Sequence, residues 1–112
     1  MKTKKIFIVD FHGNIHEAEI FCEEIDAHCE IWKILHKSIP EGFPLEAEAL
    51  TFIKDSTGWH LNILQEDRSG KIIREESIQI SGETIRGEYL TFNREEAAGK
   101  AAEIERKGVL MI

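Results

Sequence analysis

Gly58, Gly70 and Gly82 fall twelve residues apart in the middle of the chain, and this spacing constrains the fold more than any other feature. Between them lie "WHLNILQ", "KIIREESIQI" and "ETIRGEYLTF", short runs rich in β-branched and aromatic residues. The turn-forming stretches "KDSTG", "EDRSG" and "ISGE" separate them. Such runs fit strands, and such punctuation fits chain reversals. Trp59, Leu61 and Ile63 alternate with His60 and Asn62, as on a strand with one buried face. The segment therefore reads as an antiparallel meander, and its runs share too little sequence to be a repeat. Residues 47–53, "AEALTFI", read as another strand, although Pro44 is also placed to open a short helix there.

The flanks read differently. In "TFNREEAAGKAAEIERKG", Asn93 stands where a helix N-cap would, with Glu96 three residues on. Ala97, Ala101 and Ile104 make an apolar stripe, and Gly108 is placed to end the helix. "VLMI" then reads as a small terminal strand. At the other end, Lys4 to Asp10 reads as a buried strand. Asn14 and Glu17 have capping-box spacing, and a helix is expected to run to about Lys37, stopping before Pro40. Ala18, Cys22, Ile25, Cys29, Trp32 and His36 recur at spacings of four and three, a helical stripe. Ile20, Ala27, Ile31 and Ile34 make a second line on the opposite side. A rival reading makes this region strands: Ile25, Ala27, Cys29 and Ile31 alternate with polar residues, and "VDFHGNIHEAEI" fits a hairpin with Gly13 in its turn. The helix is preferred because its pattern is longer and the stretch is rich in Glu and Ala.

The expected fold is thus a single α+β domain over residues 1–112. A two-layer arrangement is expected, with a mostly antiparallel sheet of about five to six strands. A long N-terminal helix and a C-terminal helix cover it, in a ferredoxin-like or related topology.

Composition narrows the function. The net charge is −7 and is uneven, with +3 over residues 1–9, −8 over residues 10–48 and −2 over the remainder. Nucleic-acid binders need clustered Lys and Arg, so no nucleic-acid partner is expected. No stretch approaches a membrane span. The apolar run Ile6–Val9 is too short for a secretory signal. A cytoplasmic setting with Cys22 and Cys29 as free thiols is therefore expected. No cofactor is expected.

Of the seven histidines and cysteines, His12, His16, Cys22, His28, Cys29 and His36 fall within residues 12–36. On a helix, Cys22, Cys29 and His36 share a face but lie too far apart to meet on one ion. Only His12 and His16 have the i,i+4 spacing of a helical metal pair. The stretch "IFIVDFHGNIHEAEI" resembles the first motif of the calcineurin-like metallophosphoesterases, over residues 4–27. That resemblance implies a strand–loop–helix unit, with Asp10 and His12 as ligands of a metal pair in a hydrolase. The family's later motifs are absent from the chain, and two-metal hydrolysis needs their ligands.

Three functional expectations follow. The first is a small acidic cytoplasmic binding module without catalysis, self-associating through Ile20, Ala27, Ile31 and Ile34. The second is a metal-dependent phosphoesterase-like remnant using Asp10 and His12. The third is an acidic inhibitor or immunity-type protein, meeting a basic partner through Glu17, Glu19, Glu23, Glu24, Asp26 and Glu30.

Overall fold

The computed structural model describes residues 2–110. It is a nearly closed antiparallel barrel with one helix laid on its outside. The strands are β1 (Thr3–Val9), β2 (Ile15–Ile25), β3 (Glu30–Ile34), β4 (Leu50–Asp55), β5 (Gly58–Glu66), β6 (Ile72–Gln79), β7 (Gly82–Glu83) and β8 (Tyr89–Thr91), followed by α1 (Arg94–Leu110). They form one eight-stranded sheet in the order β6-β5-β4-β3-β2-β1-β8-β7.

The meander expected over the middle of the chain is present through β6 and extends back to residue 3, but its last run leaves it: β7 pairs with β8 at the opposite edge of the sheet and not with β6. The two-layer α+β sandwich is absent. Residues 15–37 contain no α-helix, only the start of a short 3-10 turn at His36–Ser38. Of the rival strand reading, the hairpin around Gly13 holds. The alternation from Ile25 to Ile31 does not form one strand, because residues 26–29 are the turn between β2 and β3. The alternation of Ala18, Ile20 and Cys22 with Glu17, Glu19 and Phe21 outweighs the helical stripe. Along β2, Ala18 and Ile20 are buried, while their neighbours on the outer row are partly exposed. Asp26 breaks the run: its carboxylate accepts the His28 N–H at 2.9 Å, and its own N–H donates to the Cys29 carbonyl at 2.9 Å. The chain reverses there, and Ile20 pairs with Ile34 across the hairpin. Nor is Asn14 a helix cap, because the capping-box spacing lies in the β1–β2 turn. Gly13 adopts φ +86° there, and a Cβ on it would sit 3.3 Å from the Ala101 carbonyl oxygen.

Inward-facing residues fill the barrel. Ile6, Ile8, Ile20, Leu50, Phe52, Leu61, Ile63 and Leu90 are fully buried or nearly so. Register partners such as Phe52 and Leu61, or Trp32 and Phe52, pack on the same face of neighbouring strands. Outside, α1 lays Ala97, Ala101 and Ile104 against Phe7, Val9 and Tyr89, the stripe expected of that helix. Asn93 Oδ1 accepts the N–H groups of Glu95 at 2.9 Å and Glu96 at 3.1 Å, so it is the N-cap. Asn93→Ala is expected to lower stability by about 1 kcal/mol and Asn93→Asp by much less, as read from denaturant midpoints. Gly108 does not end the helix, which continues through Val109 and Leu110. These two residues thus do not start the expected terminal strand, and Met111 and Ile112 lie outside the described residues. Among the described residues, no helix is long and apolar enough to cross a membrane.

Between β6 and β7 the barrel is closed by side chains. Arg74 and Glu76 point inward from β6. Arg74 Nη2 donates to Glu76 Oε2 at 3.1 Å and lies 3.7 Å from Glu88 Oε2. Glu76 Oε1 accepts the Ile85 N–H at 2.5 Å, and the Thr84 hydroxyl donates to Glu88. All four side chains are buried. The chain crosses from β6 to β7 at a sharp corner. A Cβ on Gly82 would stand 2.6 Å from the Gln79 carbonyl oxygen. Gly82→Ala is therefore expected to destabilise the fold by about 1–3 kcal/mol, since backbone and not a pliable side chain must move. Thermal unfolding of the variant measures this.

Candidate functional site

The two ends of the barrel differ. At the end where β1 finishes, the long segment over residues 35–49 folds back, and Ile39, Phe43, Leu45 and Ala47 pack against the core. At the other end the connections are short: residues 26–29, residues 56–57 and the corner at residues 80–81. Three aromatic rings stand there. Trp32 meets Trp59 at 5.2 Å and 65°, and Trp59 meets Phe92 at 4.8 Å and 70°, both edge to face. Their order follows from strand parity. Trp32 and Trp59 are the inward residues of β3 and β5 next to this rim, and Phe92 follows inward-facing Leu90 at i+2.

Cations and a carboxylate array frame the rings. Lys4 Nζ lies 4.9 Å from the centre of the Phe92 ring and Lys54 Nζ 5.8 Å from that of Trp59, within cation–π reach. The Trp32 indole N–H donates to Glu30 at 3.0 Å. Beside Phe92, Glu96 of α1 reaches back over the barrel edge. It accepts hydrogen bonds from the Tyr89 hydroxyl, from Thr91 Oγ1 at 3.0 Å and from Ser81 Oγ at 3.2 Å. These bonds, Tyr89 first, outweigh burial and hold the Glu96 carboxyl below its ordinary pKa. The same contact, with burial, pushes the Tyr89 phenol up to about 12. Trp59, Ile80, Ser81, Thr91, Phe92, Asn93 and Glu96 together line a cleft of about 530 Å³. This lies within the usual range for small-molecule sites, for which barrel mouths are a common location.

Ser81 is the one non-glycine residue with positive φ among the described residues, at +72°. Such a conformation stores roughly 1–3 kcal/mol and tends to mark functional positions. Here it turns the hydroxyl toward Glu96.

The residues expected to carry function lie outside this cleft. Asp10 is engaged within its own turn. Both oxygens of the buried Asp10 carboxylate serve the β1–β2 turn: Oδ1 accepts the N–H groups of His12 and Asn14, and Oδ2 lies 2.8 Å from His16 Nε2. His12 thus enters through its backbone. Among the described residues, no group of three or more His, Cys, Asp or Glu is gathered to hold a metal ion. Burial raises the Asp10 pKa, but the His16 and backbone hydrogen bonds outweigh it and leave it below 3.8. The stabilisation from Asp10 and Glu96 is present above their unfolded values of 3.8 and 4.5. It is lost as the pH falls through their lower folded values. Asp10→Asn is accordingly expected to flatten the acid limb of the stability profile below about pH 4, as a pH series of unfolding midpoints will read.

The apolar line proposed for self-association does not exist as a helix face. Ile20 and Ile34 are core residues, Ile31 pairs with Ile53 in the sheet, and Ala27 sits exposed in a turn. The six acids lie along the β2–β3 hairpin. Glu17 on β2 is held by Lys5 at 2.8 Å and Arg94 at 3.3 Å. Glu19 lies two residues on, Glu23 is the bulged residue of β2 with Glu24 after it, Asp26 caps its turn and Glu30 bonds Trp32.

No protein-family model, curated protein or solved structure matches the chain.

Proposed function

We propose that the protein is a small binding module, acting without catalysis of its own, and that the ligand enters at the aromatic end of the barrel. The observation that carries this reading is the coincidence of three features at one rim: the Trp32–Trp59–Phe92 ring ledge, the 530 Å³ cleft and the strained Ser81 hydroxyl held on Glu96. Half-buried Trp59 and Phe92 leave aromatic surface at the opening, and such surface is where binding free energy concentrates. Glu96 is the one carboxylate lining the cleft, and the Tyr89 phenol beside it is held protonated. This supports a role in positioning a ligand, not in paired acid–base chemistry. The proposed setting is the cytoplasm, which suits the free Cys22 and Cys29.

A thermal-shift screen of small neutral, cationic and anionic compounds tests the reading. A true ligand raises the unfolding temperature, and the rise continues with the logarithm of its concentration above the dissociation constant. Trp32 and Trp59 are the chain's two tryptophans, so the same ligand is expected to change their emission. Both responses should vanish in Trp59→Ala and persist in Ile73→Ser, a change on the outer face of β6. Ligands that bind Trp59→Ala as tightly as the wild type would show that the cleft is not the site.

A further inference from the structure

Building on the binding site proposed above, we infer that its ligand is a neutral, polyhydroxylated ring: a saccharide stacked on Trp59 and Phe92, with its hydroxyls on Glu96, Asn93 and Ser81. The lining of the cleft selects this class over the others. One wall is apolar: Trp59, Ile80 and Phe92. The rest of the lining is polar and mixed in hydrogen-bonding character. Glu96 accepts; the Ser81 hydroxyl donates and accepts. Asn93 Oδ1 is spent on the helix N–H groups, which leaves its amide N–H groups to donate.

Charge separates the alternatives. Lys4 and Lys54 hold their ammonium groups 4.9 and 5.8 Å from the centres of the Phe92 and Trp59 rings, so a cationic guest meets two like charges beside the ring ledge. An anionic guest meets the Glu96 carboxylate. A flat hydrocarbon would bury Glu96 and Asn93 without replacing their water, which costs free energy. A sugar ring has one face of C–H groups to lie on an aromatic ring and an edge of hydroxyls that both donate and accept. It carries no charge for either the lysines or the glutamate to oppose.

The test titrates the purified chain with a panel of neutral mono- and disaccharides, alongside cyclohexanecarboxylate and tetramethylammonium as anionic and cationic probes that do not themselves fluoresce. Tryptophan emission is followed, and circular dichroism verifies that each variant is folded. We expect at least one saccharide to bind with a dissociation constant on the order of 1 mM. Trp59→Ala should weaken it more than tenfold, Trp59→Phe less, because a ring remains. Glu96→Gln should weaken it several-fold, because one acceptor oxygen becomes a donor. If a charged probe binds in a Trp59-dependent way and no saccharide does, the site stands and the ligand class is wrong. If nothing binds in a Trp59-dependent way, the class and the site fall together.

Discussion

Arg74→Met is expected to destabilise the protein by about 3–5 kcal/mol, because it strands two buried carboxylates. In the wild type, Arg74 lies 3.1 Å from Glu76 and 3.7 Å from Glu88, and all three side chains are buried. Methionine fills much of the space but carries no charge. Glu76 would keep only the Ile85 N–H, and Glu88 only Thr84. The double variant Arg74→Met, Glu76→Leu should lose less than the single one, since removing the orphaned carboxylate removes its desolvation cost. Such non-additivity is the signature of groups acting as a unit. Urea midpoints of the two variants decide the matter. Equal stability of Arg74→Met and wild type would mean that the β6–β7 gap is not held by this cluster.

Phe52→Ala should be of similar size, about 3–5 kcal/mol, by loss of transfer free energy plus the cavity left behind. Phe52 is fully buried at the centre of β4, with Trp32 and Leu61 as register partners on either side. Antiparallel backbone pairing on both sides resists collapse of the hole, which favours the upper part of that range. The cavity would lie beneath Trp32, so a shift in tryptophan emission should accompany the lost stability. A cost below about 1 kcal/mol would place Phe52 outside the packed interior.

What the sequence made legible followed from local chemistry. Asn93 was readable as a cap because one oxygen must serve orphan N–H groups at a helix start. The strands after Gly58 and Gly70 were readable because clean alternation and turn residues agree. Residues 15–37 misled for a physical reason. Ala18, Cys22, Ile25, Cys29 and Trp32 lie at helical spacing, yet they belong to two strands and the turn between them. Exposed Ile25 belongs to no buried stripe. The signal that settles the region is the Asp26 turn, a two-residue side-chain-to-backbone bond that periodicity cannot register. The aromatic rim was hidden for another reason. Trp32, Trp59 and Phe92 lie far apart in the chain and meet only when the strands close round. Trp59 was legible as an inward strand residue, but its neighbours were not. Barrel closure itself rests on Arg74, Glu76 and Glu88, buried charges at positions that a hydrophobic pattern leaves blank.

The most direct test of the functional account is a heteronuclear NMR titration with the best ligand of the screen. The account predicts that perturbations gather at the Trp59 indole N–H and at the backbone amides of Ser81, Phe92, Asn93 and Glu96. The amides of Phe43 and Leu45, at the plugged end of the barrel, should remain still. Perturbations centred on Phe43 and Leu45, or spread along the outer face of β2 through Glu17 and Glu19, would contradict it.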